Sequence, residues 1–541
     1  MRALIHTLSR RWGFSPLGWL RNTWRMRAWV RATGPLHQAP APDAPHIGVV
    51  ITPWLDTTVP WFTLAAGLLL ACRGNRVSFL IDDSPFGDSP VRYRFVLRCL
   101  RFVLARVPVP CTQVLLSSQR ARPTTPATPD AHAAVERLAK LNAVWQLRGE
   151  MLPTGRAEYT RICSAQLAKA DAPIAQLLQP GAFDLLFMPG GVYGNSGLWA
   201  LHARAAGIRI ASFDAGGYGT VMVASNGIAC QLQDIPLAFQ QLKGRCAVDP
   251  TELRFAVDAA LAEMAKRRAG VDAFASQMQG GHGGDARFDG AVLLALNSSW
   301  DAAALGLHAV YRDNTAWIVE TVRYLLDHTS APVIVRQHPA ERLPIAYTSD
   351  DYGSLLRQHF GTQPRLHFIA ADETINSYQL LERVAAVVVY TSTIGTEAAA
   401  LGKPVITPSH SYYAGLGFVW QCTDLASYHA RLADAAQGLL QVTPAMRDDA
   451  HLCYYLTQCC NWVFSPFNPS DFQEWATLGP AHWLADATVQ GVLASLQQGV
   501  PVATLNHHAA LARRLLSAGP GAAIASAAVI ARATPTAAAS V

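Results

Sequence analysis

A chain of 541 residues is too long for one ordinary core and suits two domains with appendages. Half of its residues are hydrophobic and 15% are charged, which excludes a disordered chain; a net charge of +6 without a dense basic stripe argues against nucleic acid as a partner. The ten cysteines contain no CxxC pair, so buried thiols in a reducing compartment are expected rather than a disulfide framework or a metal knuckle.

Residues 1–45 form a distinct opening segment. No acidic residue precedes Asp43, and Arg2, Arg10, Arg11, Arg21, Arg25, Arg27 and Arg31 alternate with Trp12, Trp19, Trp24 and Trp29. Arginine and tryptophan together favour the headgroup layer of an anionic membrane, although packing on the protein's own surface explains them equally well. A second such stretch, Arg92 to Arg106, contains Arg94, Phe95, Arg98, Arg101 and Phe102. No apolar run reaches the roughly 18 to 20 residues that cross a bilayer. The best, Val59 to Cys72, carries Pro60 and reads as a core helix. No secretory signal is evident. The expected location is the cytoplasm, with the inner face of the inner membrane as a candidate contact.

A regular α/β pattern starts at residue 46. His46 to Ile51 reads as a strand, Val59 to Cys72 as a helix and Arg76 to Ile81 as a second strand, a parallel βαβ unit. Ser118 to Ala131 reads as a Pro/Thr-rich loop. The buried strand Asp184 to Met188 ends in a Gly-rich turn, Pro189 to Gly197, before a helix and the strand Ile208 to Phe213. Glycines there admit a ligand to the backbone, though a plain tight connection is an equal alternative. Gly190, Gly191, Asn195 and Asp214 are therefore candidates on the acceptor or sugar side. This first lobe spans 46–278. Residues 279–288, with Gln279 to Asp285 rich in glycine, read as a linker. The second lobe, 289–504, repeats the pattern, and the Ala-rich residues 505–541 are expected to fray as a tail. The fold class is α/β: two Rossmann-like lobes with a central cleft, where ligands meet the carboxyl ends of strands.

Four constellations in the second lobe carry candidate chemistry. Asp301 follows strand Ala291 to Leu296, where a carboxylate can act as base, nucleophile or cation stabiliser, or merely cap a helix. Arg336 and His338 end another strand and suit a phosphate oxygen, with a satisfied structural histidine as an equal alternative. Ser392, Thr393 and Glu397 stand between a strand and a helix, where hydroxyls can cradle phosphate and the carboxylate can meet ribose; a simple capping arrangement is the alternative. Tyr412 and Tyr413 lie in a loop that either covers a base or sugar or closes the core.

Ser392 to Ala398, Gly402-Lys403-Pro404-Val405 and Tyr412 to Gly417, with Asn297, Asp301 and His338-Pro339 upstream in the same order, resemble the capsule polysaccharide biosynthesis family. The resemblance covers about residues 290 to 420. It implies a GT-B fold, transfer from a nucleotide sugar (CMP-Kdo in the best-known members), phosphate contacts at His338, Ser392 and Thr393, and a catalytic carboxylate at Asp301. The chain departs from that pattern at Asn297, often Gln in the family, and at Thr407 to His410, where a glycine is usual. No metal or further cofactor is expected beside the nucleotide-sugar co-substrate. The expected partners are a glycan or lipid-linked glycan acceptor and polysaccharide assembly proteins. A nucleotide-sugar epimerase and a non-catalytic assembly or export partner are the alternatives.

Overall fold

The computed structural model describes residues 15–517 apart from 55–56, 86–89, 120–128, 152, 217–218, 272–284 and 345. Arg2, Arg10, Arg11, Trp12, most of the predicted linker and residues 518–541 lie outside the described residues. The chain opens with helix α1 (Pro16–Arg31), followed by β1 (His46–Ile51), α2 (Val59–Cys72), β2 (Arg76–Ile81), α3 (Pro90–Leu104) and β3 (Thr112–Leu115). A long helical hairpin, α4 (Pro129–Leu147) and α5 (Pro153–Leu177), leads to β4 (Leu185–Pro189), α6 (Asn195–Ala205), β5 (Arg209–Ala215) and β6 (Thr220–Ala224). Helices α7 (Ile235–Val248) and α8 (Pro250–Arg268) precede the second lobe. There β7 (Val292–Ala295), β8 (Val333–Arg336), β9 (Leu366–Ile369), β10 (Ala386–Val389), β11 (Val405–Thr407) and β12 (Trp420–Gln421) alternate with helices, among them α9 (Ile394–Ala400). A last strand, β13 (Trp462–Phe464), and the helix α10 (Val502–Ser517) follow.

These strands form two sheets. The first has the order β13-β6-β5-β4-β1-β2-β3, with its five strands β3, β2, β1, β4 and β5 parallel. The second has the order β12-β11-β10-β7-β8-β9 and is parallel throughout. Both are doubly wound: strand order reverses between β1 and β4 in one and between β7 and β10 in the other, which opens a crevice beyond the strands' carboxyl ends. The predicted pair of Rossmann-like lobes is thus present. Parallel strands covered on both faces must be apolar throughout, and β4, β7, β8 and β10 are buried at every position. Helix α2 is buried along its entire length, and Pro60 sits in its first turn, where a missing N–H costs nothing. No described helix is long and apolar enough to cross a membrane.

The packing divides the chain differently from the sequence boundaries. Trp19, Met26, Trp29 and Val30 of α1 belong to the core of the first lobe, with Trp19 5.3 Å from Trp61. The opening segment is therefore no free appendage from residue 16 onward. Helices α7 and α8 precede the predicted linker, yet Phe239, Leu242, Ala256 and Met264 pack into the core of the second lobe with Leu293 and Val387. Conversely, β13 pairs antiparallel with β6, and Trp475, Trp483, Leu493 and Leu496 join the first core. The tail predicted from residue 505 begins instead as helix: α10 continues to Ser517, and its buried His507 meets Tyr455 Oη and Glu252 Oε2 at 3.1 Å each.

Candidate active site

Strands β7, β8 and β10 end at one edge of the second sheet. Their following loops enclose a pocket of about 100 Å³ lined by Arg336, His338, Ser392, Thr393 and Glu397. Two of the predicted constellations thus meet at one place, beside the β7–β10 switch point. Asn297 Oδ1 accepts the Thr391 N–H across that switch at 3.4 Å.

His338 caps the turn Pro339–Arg342: its Nδ1 accepts the Ala340 N–H at 3.2 Å. Burial, and then the charge of Arg336, push its pKa down to about 4. The ring is therefore neutral at pH 7. Because Nδ1 accepts, the remaining ring proton belongs to Nε2, a hydrogen-bond donor. Arg336 is also buried, which lowers its pKa to about 10 and leaves it charged at neutral pH. Its Nη1 and Nη2 donate to the Ala370 and Ile375 carbonyls at 2.6 and 3.2 Å, so the fork is tied to the backbone. Arg336 offers a fixed positive charge rather than an open N–H, since its Nε, although without a partner, is itself buried.

The capping alternative for Ser392 to Glu397 does not hold. Thr393 precedes α9 without a side-chain cap bond. Glu397 is buried and already engaged: Arg267 Nη1 lies 3.2 Å from Oε1, and Tyr378 Oη donates to Oε2 at 2.8 Å. The predicted ribose acceptor is thus held from two sides by residues that carry no local motif. Tyr412 and Tyr413 are buried in the second core, which corrects their reading as a cover for base or sugar. The rings turn inward to pack with Phe418, 6.5 Å from Tyr413. Tyr413 Oη donates to the Ser392 carbonyl at 2.9 Å and so props the hydroxyl loop from below.

The first lobe carries a second group of candidates. Asp214, at the end of β5, has its carboxyl pushed up to about 6 by burial and then by the charge of Asp301. Asp301 is exposed, and the surrounding protein still raises its carboxyl. Its Oδ1 accepts the Ala303 N–H at 3.0 Å and its carbonyl the Ala304 N–H at 2.8 Å, so it opens a turn rather than capping a helix. Tyr193 and Cys230 feel both carboxylates and are raised, in each case by burial first. The two predicted aspartates, one per lobe, thus lie near enough for the charge of Asp301 to raise the Asp214 carboxyl. Tyr193 is the centre of an aromatic wall that sequence reasoning missed: it stacks on Trp145 at 4.6 Å and on Trp54 at 5.8 Å.

Two first-lobe candidates are corrected. Asn195 is buried, and its Nδ2 is taken up by Asp82 Oδ1 and the Ser84 carbonyl, to which it donates at 3.1 Å each. It serves Asp82, a fully enclosed carboxyl raised to about 7 by burial. Gly191 has φ +125°, and a Cβ there would come 2.2 Å from Ile228 Cδ1, so the backbone conformation first and packing second account for the glycine without a ligand. Gly190 remains at the wall, where a Cβ would touch Trp54 at 3.4 Å.

Beside this wall lies a larger cavity of about 680 Å³, lined by Lys140 and Arg156 of the α4–α5 hairpin and by Ser299, His308, Arg312 and Asp313 of the second lobe. The hairpin tip is pinned there: Asp350 accepts the Glu150 and Met151 N–H groups at 2.8 Å each, and the Ser299 hydroxyl at 2.6 Å. Burial, then Asp313 and Asp350, push the Glu150 carboxyl up to about 8, so at neutral pH it is mostly uncharged and the cavity keeps a positive balance. Among the described residues, no three His, Cys, Asp or Glu side chains converge as a metal site requires.

Residues 291–447 match the family described as capsule polysaccharide biosynthesis protein. No curated protein matches the chain significantly. Among solved structures the chain is similar to a Thermosulfurimonas dismutans KpsC β-Kdo 2,4 transferase, at 16% identity over 51% of this chain and 80% of that one, with a TM-score of 0.35. It is also similar to a β-Kdo 2,7 transferase of the same organism, at 17% identity over 47% and 75% with a TM-score of 0.29. A Rickettsia africae glycosyltransferase matches at 9% identity over 82% and 100%, with a TM-score of 0.26. Likenesses this distant carry no functional inference.

Proposed function

With a capsule polysaccharide biosynthesis domain over residues 291–447 as the premise, we propose that the protein is a glycosyltransferase of bacterial surface polysaccharide assembly. One observation carries the reading: Arg336, His338, Ser392, Thr393 and Glu397 converge on one pocket at the β7–β10 switch point. That pocket suits the phosphate and ribose of a nucleotide sugar. Nε2 of neutral His338 and the hydroxyls of Ser392 and Thr393 donate hydrogen bonds to the phosphate, and the fixed charge of Arg336 favours the anion. As the glycosidic C–O bond breaks, its electron pair passes to the phosphate oxygen, where these donors stabilise it. The acceptor hydroxyl oxygen forms the new bond and its proton goes to a carboxylate, Asp301 in this proposal, with Asp214 beside it. The aromatic wall at Tyr193 and the cavity beside Lys140 and Arg156 offer room for a glycan acceptor. Within this proposal the donor is CMP-Kdo, the acceptor a glycan or lipid-linked glycan, and the place the cytoplasm at the inner face of the inner membrane.

The first test is thermal stabilisation by CMP, UDP, GDP and their sugars, since a ligand of the native state raises Tm by mass action. CMP is expected to stabilise; a shift with UDP alone would replace the donor. His338→Ala is expected to lower transfer about a hundredfold to a thousandfold while the fold persists. Unchanged turnover in folded His338→Ala and Asp301→Ala proteins would remove both residues from the reaction. Incubation with donor alone should give no new nucleotide sugar; formation of one would make the protein an epimerase.

A further inference from the structure

Helices α1 and α3 lie side by side on the first lobe, and neither contains an acidic residue. Between them they carry Arg21, Arg25, Arg27, Arg31, Arg92, Arg94, Arg98 and Arg101. Their inner stripes are fixed by the core: Trp19, Met26 and Trp29 on one, Val96, Leu100 and Val103 on the other. The outer stripes follow at helical spacing. Arg21, Trp24 and Arg31 are exposed on α1, and Val91, Arg98 and Arg101 on α3.

Apolar side chains stand among these charges. Leu17 is 53% exposed, Leu20 42%, Trp24 59% and Val91 67%. Four of the thirteen large exposed hydrophobic side chains among the described residues thus fall on these two helices, whereas the others are spread over the rest of the chain. The two faces form one surface, because Trp24 meets the edge of Phe102 at 5.7 Å and the Arg27 guanidinium lies over both rings at 5.0 and 5.3 Å. Partial desolvation, then the charges of Arg31 and Arg106, lower the pKa of Arg27. Folding alone gives no reason for such a face. Like charges repel, and exposed apolar groups gain nothing from water.

We propose that the α1–α3 face seats the protein on an anionic phospholipid bilayer, with arginines on lipid phosphates and Leu17, Leu20, Trp24 and Val91 in the headgroup layer. The combination favours lipid over an acidic protein: guanidinium groups match phosphate, and large apolar tips between them need an apolar layer to enter. The proposal gives a surface to the peripheral location in the functional reading. It is tested without donor or acceptor, so its failure leaves the transfer chemistry untouched.

The experiment is co-sedimentation of the full chain with phosphatidylglycerol/phosphatidylethanolamine vesicles and with phosphatidylcholine vesicles. Binding is expected to the anionic vesicles only, and to weaken as salt screens the phosphates. Arg21→Glu/Arg98→Glu/Arg101→Glu should reduce binding by more than about tenfold. Leu17→Ser/Leu20→Ser/Trp24→Ser should reduce it comparably, with Tm unchanged in both proteins. If Trp24→Ser lowers Tm, the Leu17→Ser/Leu20→Ser protein carries the apolar arm. Absence of wild-type binding, equal binding to both vesicle types, or full binding by the apolar variant would overturn the proposal; the last outcome would point to an acidic macromolecule.

Discussion

At the scale of single residues, the cleft is governed by how burial sets charge. His338 is neutral because burial and Arg336 both oppose its protonation. Asp214 shows the opposite sign, since burial and then Asp301 hold its proton on up to about pH 6. If the aspartate pair must be ionised to take a proton, transfer should fall as pH drops through about 6. The sign for stability is the reverse. A carboxyl whose pKa is raised by folding opposes the folded state once ionised, so its contribution declines between about pH 4 and 6 and is level above that. Asp301→Asn removes the second cause of the rise, and the Asp214 midpoint should move to lower pH in a carboxyl-carbon NMR titration. An unmoved midpoint would show that the two carboxylates do not share the cleft. Asn195 is instructive beside them: the same Gly-rich turn that marked it as a ligand residue turns it inward to Asp82.

At the scale of elements, the loop between β10 and α9 depends on a side chain twenty residues further on. A Cβ at Gly395 would come 2.8 Å from Tyr413 Oη, and that hydroxyl holds the Ser392 carbonyl. Gly395→Ala should therefore cost about 1–3 kcal/mol and weaken nucleotide binding by displacing the loop. Tyr413→Phe frees the space but loses the prop. The double variant Gly395→Ala/Tyr413→Phe should recover stability beyond the sum of the two single changes, measured by denaturant unfolding. Strict additivity would mean that the tyrosine does not set the loop. Tyr413 is thus a positioning residue for the predicted hydroxyl site, although its ring never reaches the cleft.

At the scale of the whole molecule, the two lobes exchange their final segments. The first lobe needs Val463, Trp475, Trp483, Leu493 and Leu496, which follow the second lobe in the chain. The second needs α7 and α8, which precede it. Burying each large apolar side chain contributes about 1.5–3 kcal/mol, and the whole stability of a domain is about 5–15 kcal/mol. A chain truncated after Cys460 should therefore lose the fold of its first lobe, seen as lost cooperative melting and protease resistance. Retention of a folded first lobe would show that the crossing segment is dispensable. The pinned α4–α5 hairpin adds a second tie, through Asp350, between the lobes that frame the cleft.

Much of this was legible from local order in the chain. Short, valine-rich apolar runs such as Ala386 to Val389 read as strands covered on both faces, and their alternation with helices implies parallel sheets. The hydroxyl run after β10 and His338 after β8 were readable because ligand sites of such sheets lie just past strand ends. What lies across space left no such trace. Arg267 and Tyr378 reach Glu397 from elements with no shared motif, and Trp145 joins Tyr193 from the end of helix α4, nearly fifty residues earlier. The same limit holds for the exchange of the lobes' ends and for the pairing of α1 with α3. Periodicity tells which face of an element is apolar, and only tertiary packing decides which core that face enters.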